Sequence, residues 1–114
     1  MSGPELFAGL FVGDYEASRA WYGRLLGAEP AFLASDTEAV WQLGEQRWLY
    51  IKQHPEHAGH GEVTLFPEDL DATVAGAAGR GVDPQRHEDY PGGVRKVVYR
   101  DPDGNEIGFG GATA

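Results

Sequence analysis

The sequence predicts an α+β domain built from two consecutive β-α-β-β-β modules, and three observations carry that reading. The first is the closing stretch from Val94 to Phe109, where two strand-like runs flank Asp101-Pro102-Asp103-Gly104-Asn105. Pro102 fixes φ near the value a turn needs and Gly104 accepts a positive φ, so these residues reverse the chain between two strands. The second is an internal repeat: Leu10-Phe11-Val12-Gly13-Asp14-Tyr15-Glu16-Ala17 lies over Leu65-Phe66-Pro67-Glu68-Asp69-Leu70-Asp71-Ala72, matching at Leu, Phe, Asp and Ala, with Asp71 in place of Glu16. The third is length and balance, since 114 residues with 41% hydrophobic and 24% charged side chains suit one soluble domain with a real core.

Each element has its own signal. Leu6 to Val12 is a short apolar run rich in strand formers, and Gly13-Asp14 after it supplies a turn and an N-cap. Ala17, Ala20, Trp21, Leu25 and Leu26 then recur at helical spacing, Glu16 sits near the positive end of the helix dipole, and Gly27 stops the helix. Short strands follow at about 31–34, 39–43 and 47–52, separated by Ser35-Asp36 and Gly44-Glu45, which closes a first module of about residues 5–53. Residues 54–61, His54-Pro55-Glu56-His57-Ala58-Gly59-His60-Gly61, read as a linker. Their three histidines lack the fixed acidic partners that would hold a metal. The second module, about 62–111, opens with the strand Glu62 to Phe66. Pro67-Glu68-Asp69 leads into a helix from about Leu70 to Gly79, and Val82 to Glu88 is expected as a strand before the closing hairpin.

Composition excludes several functions. Zero cysteines remove disulfides, thiolate nucleophiles and Cys-ligated metals. A formal net charge of −9 disfavours nucleic acid and favours a cationic partner. No apolar run is long enough to span a bilayer, and Met1 to Glu5 lacks the basic start of a signal peptide, so a cytoplasmic location without membrane partners is expected. There is no Gly-x-Ser-x-Gly elbow and no glycine-rich strand-to-helix loop for a phosphate.

Asp14, Ser18, Trp21, Tyr22, Leu25, Leu26 and Gly27 form Asp-x-x-x-Ser-x-x-Trp-Tyr-x-x-Leu-Leu-Gly. Together with Asp69-Leu70-Asp71-Ala72 and the Asp101 to Asn105 turn, they resemble the vicinal oxygen chelate superfamily over roughly Leu6 to Gly110. That group includes glyoxalase I, extradiol dioxygenases, and fosfomycin and bleomycin resistance proteins. The resemblance implies a concave mixed sheet with the ligand in its hollow and the helices on the convex side.

Strand alternation gives the two faces independently. If Leu10 and Leu65 face the helices, so do Ala8, Val12, Val63, Leu49, Ile51, Ile107 and Phe109. The other face then carries Phe7, Phe11, Trp48, Tyr50, Lys52, Glu62, Thr64 and Phe66, a mixture of aromatic and polar groups that suits a ligand better than a core. Arg95 and Lys96 point to opposite faces, and the pattern leaves open which reaches the ligand. The metal enzymes of the superfamily take His and Glu ligands at four positions that fall here on Phe7, Trp48, Glu62 and Gly108. Only Glu62 has a suitable donor, and a register slip would add Glu106, so no metal and no other cofactor are expected.

The expected ligand-binding residues are Phe7, Phe11, Trp41, Trp48, Tyr50, Glu62 and Phe66, with the aromatics sandwiching a planar group and Glu62 pairing with a cation. No catalytic residue is assigned. The resemblance is closest to the bleomycin resistance branch, homodimers that sequester bulky, basic antibiotics in grooves between subunits without chemistry, and it implies a homodimer with metal-independent binding of a small aromatic or cationic organic molecule. The alternatives are a glyoxalase- or dioxygenase-type enzyme with a displaced metal site drawn from His60, Glu62, His87 and Glu106, and a metal-free enzyme using Glu62 or His87 as acid or base.

Overall fold

A computed structural model describes residues 3–112. The order is β1 (Leu6–Val12), α1 (Tyr15–Leu26), β2 (Phe32–Ser35), β3 (Glu38–Gly44), β4 (Arg47–Gln53), a 3-10 turn at Pro55–His57, β5 (Glu62–Leu65), α2 (Leu70–Gly79), β6 (Arg86–Tyr90), β7 (Val94–Arg100) and β8 (Glu106–Ala112). The strands form two four-stranded mixed sheets, ordered β1-β4-β3-β2 and β5-β8-β7-β6. In each, the module's first and last strands pair in parallel and the other pairs are antiparallel. The two β-α-β-β-β units are therefore present as the repeat predicts.

The repeated aspartates explain why both helices start where they do. Asp14 accepts the Ala17 N–H at 3.2 Å and Asp69 accepts the Ala72 N–H at 3.0 Å, each satisfying a donor that the first helical turn leaves free. Gly27 ends α1 in the left-handed conformation at φ 71°. The strand expected from Val82 begins only at Arg86. The Val82 N–H bonds back to Ala77 O, which makes it part of the exit from α2, and Pro84 has no N–H to give a ladder.

Leu10, Val12, Leu49 and Ile51 of the first sheet and Val97, Tyr99, Ile107 and Phe109 of the second form one buried cluster with Tyr22 and Leu25 of α1 and Leu70 and Ala77 of α2. Cross-strand register carries each of these sheet residues to the helix side, so the opposite face of both sheets, called the open face below, has neither helix over it.

A buried polar knot ties the modules together. Asp101 Oδ1 accepts the backbone N–H groups of Asp103, Gly104 and Asn105, each at 2.9 Å, and Oδ2 accepts the Tyr22 hydroxyl at 2.7 Å and Asn105 Nδ2 at 2.8 Å. Asn105 Nδ2 also donates to Phe11 O, and its Oδ1 accepts the Gly61 N–H, while Asp103 accepts the Gly13 N–H. The turn recognised in sequence is thus also the bridge from the second module to β1 and α1.

Burial, and then the Asp101 charge, push the Tyr22 phenol well above its ordinary pKa of 10.0. The unfolded phenol ionises near pH 10 while the folded one stays neutral, so this contribution is complete below about pH 10 and is lost as pH rises further. Tyr22→Phe should cost about 1–2 kcal/mol at neutral pH. It should also flatten the alkaline fall in stability by about one proton, or ~1.4 kcal/mol per pH unit. Urea midpoints from pH 7 to 11 measure both, and parallel slopes for the two proteins would refute the linkage. Asp101→Ala, which strands several buried donors, should cost more than about 3 kcal/mol.

Candidate functional site

The open face divides into an aromatic half and an ionic half. In the first module the register aligns Phe7 with Trp48 and Gln42, Gly9 with Tyr50, Val40 and Phe32, and Phe11 with Lys52 and Glu38. Phe7 is 45% exposed and lies parallel to Trp48, with centroids 5.4 Å apart and 7° between the planes. Phe32, also 45% exposed, meets Trp48 edge-on at 5.9 Å. The Trp48 indole N–H donates to Glu5 at 2.5 Å, which fixes the ring on the open side. Tyr50 lies across Gly9, where any side chain would collide with the Tyr50 ring. Phe11 stands apart from Phe7 and packs against the His54 and His57 rings at 4.9 and 5.9 Å. The supposed linker thus supplies two imidazoles to the edge of this face.

In the second module the open face carries charge. Arg86 makes a bidentate pair with Glu106 at 2.8 and 3.0 Å and reaches Glu88 at 2.7 Å, and the Tyr90 hydroxyl donates to Glu88. Arg100 lies 3.8 Å from Glu106. Lys96, rather than Arg95, takes this face: its stem fills the space above Gly108 and its ammonium reaches Glu62 at 3.5 Å. Arg95 reaches Asp71 at 2.7 Å.

Trp41 is corrected by the structure. It is 1% exposed, belongs to the helix-side core and donates its indole N–H to Ala28 O, so it lines no ligand surface. His87 pairs with Val97, whose side chain lies in the core, and therefore sits on the helix side of an outer strand, away from the open face. Phe66 is 70% exposed and lies beside Gly110 at the seam between the sheets. Phe7, Trp48 and Phe32 come together, Tyr50 lies over Gly9 on the same face, Glu62 is placed with Lys96, and Phe32 is the aromatic of this face that sequence reasoning missed.

The four positions where the resemblance places metal ligands do not fit a metal. Phe7 and Gly108 have no donor, and the Trp48 indole nitrogen only donates. Glu62 faces an ammonium, and Glu106, its neighbour in register, is held by Arg86. Among the described residues no three His, Asp or Glu side chains gather as metal ligands.

A cavity of about 590 Å³ lies at the seam between the modules, and Trp48, Thr64 and Phe66 form its border with the open face.

Hydrogen bonds from Arg86 hold Glu106 below the usual carboxylate range, and those from Tyr90 and then Arg86 do the same for Glu88. Stabilisation by groups lowered in this way is complete above an unfolded pKa near 4.5 and is lost as pH falls through the folded value. Glu106→Gln should therefore flatten the acid limb of a plot of denaturation midpoint against pH below about 4.5, whereas an unchanged limb would show that the pair contributes nothing.

Among curated proteins the sequence has no match. Among solved structures it resembles a glyoxalase / bleomycin resistance protein from Catenulispora acidiphila, with 59% identity over 95% of this chain and 97% of that one and a TM-score of 0.91. A bleomycin-binding protein complexed with bleomycin shares 21% identity over 94% and 97% of the two chains, with a TM-score of 0.73. A lactoylglutathione lyase from Agrobacterium tumefaciens shares 20% over 92% and 90%, with a TM-score of 0.71. The last two show a common fold, which a binder and an enzyme use alike. Residues 6–109 match the model of the Glyoxalase/Bleomycin resistance protein/Dioxygenase superfamily, and the chain belongs to that superfamily.

Proposed function

We propose that the protein binds a small planar aromatic molecule on the open face of its first module, without metal and without chemistry, in the manner of an antibiotic-sequestering protein. The observation that carries this reading is the exposed, stacked Phe7–Trp48 pair with Phe32 against its edge. Aromatic faces left open to water gain by stacking a flat ligand, and the indole is already oriented by Glu5. Bleomycin is bound by a structural neighbour of the same fold, which makes it a reasonable first probe. The ion pairs of the second module favour the aromatic over the cationic ligand class, because Glu62, Glu88 and Glu106 each have a basic partner. A homodimer, with the grooves between subunits, belongs to this proposal, and native mass spectrometry tests it against the 12.3 kDa monomer.

The test is quenching of tryptophan fluorescence by bleomycin, cationic 9-aminoacridine and neutral acridone. At least one should bind saturably. Phe7→Ala should weaken that ligand by roughly tenfold, the equivalent of one aromatic stacking contact of about 1.4 kcal/mol, with unchanged circular dichroism. Trp48→Ala, followed by calorimetry, should weaken it at least as much. Absence of binding by all three probes, or unaltered affinity in Phe7→Ala, would reject the reading.

A further inference from the structure

The seam between β1 and β5 is sealed at one end and open at the other. At the Leu10 end, Gly61 sits against Leu10, Asn105 bonds to both Phe11 and Gly61, and Asp103 bonds to Gly13. The internal repeat makes the β3–β4 reversal at Gly44-Glu45-Gln46 the counterpart of the Asp101 to Asn105 turn. It brings no Asp or Asn side chain across the seam, because the sequence has none there. The cavity of about 590 Å³ occupies that end, between Leu6 and Ala8 of β1 and Val63 and Leu65 of β5, with Leu26 of α1 beneath. Its size lies within the range of about 300–1,000 Å³ typical of small-molecule sites.

Charge identifies the occupant. The chain carries 18 acidic against 9 basic side chains, yet no carboxylate lines this cavity, and its charged residues are Arg47 and Arg80. Arg80 is committed to the end of α1, donating to Arg24 O at 2.5 Å and Leu25 O at 3.3 Å. Arg47 begins β4 on the helix side, in register with Leu6, and has no ion-pair partner among the described residues. We propose that this crevice binds a small amphipathic carboxylate, its apolar body between Leu6 and Leu65 and its carboxylate on Arg47. An apolar slot ending in an arginine with no acidic neighbour in the cavity recognises a monoanion through charge-assisted hydrogen bonds and disfavours a cation. The site adjoins the stacked Phe7 surface at Trp48, which borders both and reports on it.

The probes are decanoate, decylammonium and decanol, each titrated below its micelle concentration and followed by tryptophan fluorescence and calorimetry. Decanoate should bind saturably and at least tenfold more tightly than either of the others. Arg47→Gln should weaken decanoate by roughly ten- to a hundredfold, the range for a lost hydrogen bond to a charged group, and should leave decanol unchanged. Ala72→Phe, which places a ring into the cavity from the exposed side of α2, should abolish binding of all three. Tyr90→Phe, on the ionic half of the open face and outside the crevice, should leave decanoate affinity intact. Absence of saturable decanoate binding, equal affinity for decylammonium, or unaltered affinity in folded Arg47→Gln would overturn the assignment.

Discussion

The Asp101 carboxylate is the constraint on which the rest of the molecule hangs. A charge placed at 4% exposure is tolerable only when its lone pairs are engaged, and here three backbone amides, a phenol and a carboxamide engage them. Because Tyr22 belongs to the first module and Asn105 reaches back to Phe11 and Gly61, the same knot that shapes a hairpin turn fixes how the modules meet. The orientation of β1, and with it the aromatic half of the open face, follows from that one buried acid.

Duplication of a module gives two similar frameworks, and the side chains then diverge. The first sheet presents flat apolar rings and the second a balanced set of three acidic and three basic groups, Glu62, Glu88 and Glu106 against Arg86, Lys96 and Arg100. The Lys96 stem fills the volume above Gly108 and carries its ammonium to Glu62, two of the positions where the resemblance places metal ligands. An ammonium tethered there gives this face a chemistry unlike the His and Glu metal set that the resemblance implies, on the same framework.

Most of the fold was legible because local signals and the repeat agreed: caps at Asp14 and Asp69, strand alternation around Leu10 and Ile107, and the Asp-Pro-Asp-Gly-Asn turn. Trp41 was misread for a specific reason. A regular hairpin closed by Glu45-Gln46 would set Trp41 opposite Tyr50 on the open face. A register shift between Gln42 and Gly44 pairs it with Leu49 instead and turns the ring into the core. No residue pattern marks such a bulge. The choice between Arg95 and Lys96 was likewise invisible, since it depends on the pairing of Lys96 with Gly110, and so was the Glu62–Lys96 contact between residues 34 apart in sequence. The cavity belongs to the same class of feature, because it arises from a side-chain bridge present at one end of the seam and lacking at the other.

The outer strands of the two sheets are chemically opposite. β6 carries Arg86, His87, Glu88 and Asp89 along its free edge, and such charges discourage another chain from adding a strand. β2 exposes Phe32, Leu33 and Ala34 with no charge among them. Both have unpaired backbone groups on their outer side, but only the edge of β2 offers them without a gatekeeper. Growth of the sheets by intermolecular pairing, as happens in concentrated or partly unfolded samples, is thus directed to the first module, and a single lysine at Leu33 would shield the backbone there as the charged residues of β6 shield the other edge.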